Sequence, residues 1–199
     1  KIDLLFPKDR YTVTLTGKAF VFQKGTSYLI DNLIISLIFA IVVIAGLMAY
    51  LFRSVKMVLA SVITNVLPLC ITSGLMGYFG IPLKPSTILV FSIAFGISVD
   101  NAIQFMAKYR HDLIQNNGRV KKSVFSALRE TGISTFYTSV VLIFGFAIFT
   151  LSSFVGTIAL GGLISCTLLF AMFANLLVLP ALVLTFEKKK AKKEDAEEL

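Results

Sequence analysis

Charge is scarce in this chain. Lys, Arg, Asp and Glu together make up 15% of its 199 residues, against 56% apolar residues. The mean hydropathy is +0.85. Long stretches carry no charge at all, which excludes an ordinary soluble domain and makes lipid much of the solvent. Cysteine is nearly absent. Cys70 and Cys166 lie in apolar stretches with neither paired spacing nor His or Cys companions, so no disulfide or metal site is indicated. His111, the only histidine, falls in a polar connection where a solvated role is the simplest. No nucleophile–base pair, metal cluster or phosphate loop appears, so an enzyme is not expected. The net charge of +8 raises nucleic acid as a partner. The basic residues nevertheless lie in short connections and a tail between uncharged runs, where topology and anionic lipid explain them better.

What is present is a series of apolar runs. Residues 33–52 are uncharged, and about twenty residues at ~1.5 Å each cross a ~30 Å hydrocarbon core. Further spans are expected at about 57–79, ending near "GYFGIP", and at 86–107 after "KPS". The uncharged stretch from Thr131 to Phe186 is too long for one helix. The turn "LSSFVG" divides it into spans of about 131–151 and 157–184. The reading is an all-α membrane protein: a five-helix transmembrane domain over 32–186, preceded by an external segment 1–31 and followed by a charged tail 187–199.

Orientation follows from Lys and Arg. One side holds Arg53, Lys56, the basic residues from Lys108 to Arg129, and "EKKKAKKEDAEEL". The other has Lys84, with Lys18 and Lys24 near the first span. The positive-inside rule then expects a cytoplasmic C-terminus and an external N-terminus. "YTVTLTGKAFVF" alternates like a β-strand and, without an apolar core and cleavage site, does not read as a signal peptide. In the connection 110–130, "NNG" is a turn. Val120, Val124 and Leu128 among basic residues suggest an interfacial amphipathic helix over 119–129.

One carboxylate stands out. "FGISVDNAIQF" places Asp100 within the third span. An ionised Asp near a span's centre costs about 2.5–3.5 kcal/mol on insertion scales, so such acids face a bundle interior or a water-filled path. A nearer-surface position, hydrated and close to Lys108, is the plain structural alternative. Gly96 lies four residues before Asp100 and thins the helix beside it. Gln104 lies four residues after it on the same stripe, and Asn101 adjoins it. Thr135, Tyr137, Thr138 and Ser139 open the fourth span, and Asn175 interrupts the fifth, offering a further polar seam. Ser and Thr in lipid helices often bond only to their own backbone, so part of this seam is structural.

The run "NVLPLCITSGLMGYFGIPLKPSTILVFSIAFGISVDNAIQFMAKYR", then "TSVVLIFGFAIFTLSSF" and "GGLISCTLLFAMFANLLVLPALV", resembles the resistance-nodulation-division superfamily, in particular its lipid-exporter-like, MMPL-type branch. The likeness covers about residues 55–185, with residues 1–32 resembling the end of a periplasmic domain. It implies the five-helix end of one transporter half, the C-terminal one by its charged tail, in a bacterial inner membrane. It implies proton-driven export of lipids or other hydrophobic compounds, with protons as the coupling ion and no cofactor. The partner would be an N-terminal half or a second copy. By the same resemblance Asp100 is the proton-relay carboxylate, and Thr138 and Ser139 are the hydroxyls facing it. Relatives of this branch often read Asp-Asp and then His where this chain has Asp100, Asn101 and Gln104, and related transporters often have Asp in place of Asn175. The relay is thus reduced to a single titrating group, or the main site lies in the other half. A sterol-sensing or Patched-like lipid-handling module and a non-transporting scaffold are the competing readings.

Overall fold

The computed structural model describes residues 17–52, 54–82 and 84–186. Among them there is no strand. There are five helices long and apolar enough to cross a membrane: α1 (Lys18–Phe52), α2 (Val55–Tyr78), α3 (Pro85–Gln115), α4 (Val120–Ala147) and α5, which starts as Val155–Phe173 and runs on through a π-helical turn, Ala174–Val178, to Phe186.

The N-terminal strand expectation is corrected where it can be seen. Residues 1–16 lie outside the described residues, but Lys18–Phe22 belong to α1. An alternating pattern makes a strand only if neighbours accept its backbone groups. With no strand alongside, a helix satisfies them within the segment. Thr26 Oγ1 and Asn32 Nδ2 also bond back to the carbonyls of Phe22 and Tyr28. The segment expected as a separate interfacial helix is continuous with the fourth span and forms the first turns of α4.

Breaks between helices follow local chemistry. Gly80 takes φ +63°, a conformation that favours glycine, and ends α2. Pro85 opens α3 at its first position, where a missing N–H is harmless, and the Lys84 N–H donates to Thr87 Oγ1. At "NNG", Asn117 and Gly118 have φ 52° and 78° and reverse the chain between α3 and α4. A 3₁₀ turn, Ile148–Leu151, closes α4. In α5, Leu179 N–H donates to the carbonyl of Ala174, a five-residue spacing. Pro180 follows, and its inability to donate to Leu176 is the local reason for the widened turn.

α3 and α5 form the centre, with α2 and α4 packed on both, while α1 lies chiefly against α2 and α3. Two apolar clusters result. Toward the α3–α4 turn are Met57, Phe105, Met106, Tyr109, Val124 and Leu179. Toward the other end are Met76, Val90, Phe91, Leu163, Ile164 and Leu168. Within the latter, Thr72 and Thr167 hydroxyls meet at 2.8 Å between α2 and α5. α5 reaches α4 at Gly161, where a Cβ would stand 2.6 Å from the Phe146 carbonyl oxygen, so only glycine fits.

Candidate functional site

Between the two apolar clusters lies a polar belt centred on α3. At about 100° per residue, "GISVDNAIQ" divides between two faces. Ser98 and Asn101 are buried inside the bundle, whereas Gly96, Asp100 and Gln104 are exposed on its outside.

The inner face is a hydrogen-bonded chain across three helices. Ser98 Oγ donates to Asn65 Oδ1 at 2.7 Å. Asn65 Nδ2 donates to Ser61 Oγ at 3.3 Å. From the π turn of α5, Asn175 Nδ2 donates to the Ser98 carbonyl and hydroxyl oxygens, each at 3.3 Å. Every member is neutral. The Asn175 Oδ1 atom is buried without a partner. Beside the chain, a cavity of about 10 Å³ lined by Ile44, Met48, Ser61, Asn65, Phe95 and Val99 is at the lower limit for one water. Ser61, Asn65 and Ser98 were not singled out in the sequence. Asn65, a carboxamide in the middle of an apolar run, was the signal available.

The outer face carries the charge. Gln104 Nε2 donates to Asp100 Oδ2 at 2.9 Å. Beside Gly96 a Cβ would meet nothing within 4 Å, so the helix is open there. Asp100 lies near the middle of the candidate span Thr87–Gln115. Lys108 does not serve it: its ammonium is 3.4 Å from Asp112 and 2.5 Å from Glu130 of α4. Those pairs, with Ser123 Oγ and Asn116 Nδ2 donating to the Asp112 carbonyl oxygen, fasten the α3–α4 turn. His111 also lies on α3, its Nδ1 3.5 Å from Asp112.

The residues grouped in the sequence therefore separate. Asp100, Gln104 and Gly96 share an outward stripe, while Asn101 and Asn175 point inward. On α4, Thr135 and Ser139 are buried, and Tyr137 and Thr138 are exposed. Among the described residues no hydrogen bond joins Asp100 to Thr138 or Ser139; its partner is Gln104.

The order of apolar helices, with an acid and an amide one turn apart at the centre of the third, invites comparison with known membrane families. The MMPL family pattern matches residues 2–198. The chain belongs to the MMPL family, of the resistance-nodulation-division superfamily. A membrane protein of Methanocaldococcus jannaschii, MJ1562, is 30% identical over 118 residues, which are 59% of this chain and 30% of that protein. The hopanoid transporter HpnN of Rhodopseudomonas palustris is 27% identical over 176 residues, 86% of this chain and 20% of that protein. The chain thus spans less than a third of the length of either relative. No solved structure matches it. As a member of the MMPL family with five such helices, it is a multi-pass membrane protein.

Proposed function

We propose that the chain is one transmembrane half of a transporter that exports lipids or other hydrophobic compounds across a bacterial inner membrane at the expense of the proton gradient. Its N-terminus is periplasmic and its C-terminus cytoplasmic, as the distribution of Lys and Arg favours. The observation that carries the reading is the outward stripe of α3. An ionised Asp against hydrocarbon costs about 2.5–3.5 kcal/mol, so the Asp100 face has to be covered by protein or water. The cover is the other half of the transporter or a second copy. Kinship with a protein named as a hopanoid transporter supports a lipid or similarly hydrophobic cargo.

Asp100 exchanges the proton. A proton arriving from outside neutralises the carboxylate and removes the cost of keeping it in an apolar seam, which lets α3 and α4 repack. Release to the cytoplasm restores the charge and reverses the shift. The Gln104 amide holds the carboxylate by one hydrogen bond and cannot itself titrate. Each proton falling through 100 mV releases about 2.3 kcal/mol, enough to bias a two-state equilibrium but not to invert it completely. The test is cargo movement by the whole transporter in vesicles with an imposed pH gradient. Movement that stops when a protonophore collapses the gradient supports the reading; undiminished movement contradicts it.

A further inference from the structure

The start of α4 carries a feature that proton coupling does not use. Lys122, Phe125, Ser126, Arg129, Glu130 and Ile133 line an open groove along one side of the helix. Their spacings of three and four residues put them on one face. Phe125 and Ile133 are 64% and 59% exposed. Glu130 is the only acid in the groove, and it pairs with Lys108, which it shares with Asp112, rather than with either groove cation. Lys122 and Arg129 form no ion pair among the described residues, so the groove is left with two unmatched cations over exposed apolar side chains.

Its depth matters. Arg129 stands two residues, about 3 Å, before the charge-free run that starts at Thr131. Lys122 is about two turns further out. The pair is therefore placed at headgroup level, on the side rich in Lys and Arg. Beyond Ile133 the same side continues into hydrocarbon with exposed Tyr137, Val141, Phe144 and Ile148, an uncharged lane along which an acyl chain can lie.

We infer that this groove seats an anionic phospholipid of the adjoining leaflet, its phosphate between Lys122 and Arg129 and one chain along the lane from Ile133. Charge complementarity selects the occupant: two cations reach one phosphate, and the apolar lane starts where a glycerol ester would lie. The site is separate from Asp100, and its test does not depend on transport.

The full transporter carrying Ile133→Trp, at the start of the lane, is placed in phosphatidylcholine vesicles that contain a minority of either phosphatidylglycerol or phosphatidylcholine brominated on its acyl chains. This chain has no tryptophan of its own, and emission is read as the difference from the unsubstituted protein. Bromine quenches the indole only from a lipid in contact with it. The expected result is stronger quenching by the phosphatidylglycerol. Lys122→Gln with Arg129→Gln should reduce that preference by roughly fivefold per basic residue removed. Arg119→Gln with Lys121→Gln removes the same charge from outside the groove and should leave the preference nearly intact. Equal quenching by the two lipids overturns the proposal. An equal loss in both double variants also overturns it, because the attraction would then be diffuse rather than seated.

Discussion

On one side of α3, Ser98 is held by Asn65 and Asn175 in a buried chain with no formal charge. On the other, one turn of the same helix carries an ionisable acid whose hydrogen-bond partner is the amide of its own helix, Gln104. The inner stripe is closed. Apart from Asn175 Oδ1, its polar groups are matched across α2, α3 and α5, so it fixes the rotation of α3 from within the bundle. The outer stripe is open, and the rotation fixed from inside is what turns Asp100 outward. A neutral network sets helix register at small cost in a low-dielectric interior, whereas a titratable group is useful only where its charge can come and go.

Reversing the two stripes should have the largest effect. Ser98→Asp places a charge among Asn65 and Asn175 with no cation to match it, and such a buried charge costs several kcal/mol. The protein is expected not to accumulate in the membrane, as an immunoblot of membrane fractions would show; normal accumulation would mean that the belt is wet or loosely packed. A milder break is a double-mutant cycle of Asn65→Ala and Ser98→Ala, read from thermal unfolding in detergent. Hydrogen bonds between membrane helices contribute about 0.6 kcal/mol and at most about 1.7, so the coupling should fall in that range, and strict additivity would remove the inner chain as a register device. Gln104→Ala should leave stability unchanged and slow proton-driven efflux by less than tenfold, because an amide orients the carboxylate but does not replace it; complete loss of efflux would assign Gln104 more than positioning. Smallest of all, Gly96→Ala should leave the bundle's melting temperature unaltered, since its Cβ meets open space. A marked drop would show that α3 is packed there within the half itself.

Much of this arrangement is legible from residue order. Absence of charge marks the five apolar runs, and glycine, proline and asparagine mark the breaks at Gly80, Pro85 and Asn117, because backbone conformation there depends on the residue itself. The first turns of α1 were not legible: "KAFVF" alternates, and nothing in the local pattern decides between strand and helix. Helical spacing places Gly96, Asp100 and Gln104 together, but the direction they face depends on what packs against Ser98. Ser98 was invisible for a physical reason. A serine in a lipid helix usually bonds to its own backbone, and nothing local says that this one reaches another helix. Thr138 and Ser139 are adjacent in sequence and therefore about 100° apart on α4, which is why one is exposed and the other buried.

The central claim is that the open stripe carries the coupling proton. Its most direct test is proton-gradient-driven efflux by the whole transporter with Asp100→Asn, normalised to membrane abundance. The substitution removes the most expensive group in the span, so abundance should be at least that of the parent while coupled efflux is lost. Parental efflux at parental abundance would contradict the account and move the coupling site to the other half.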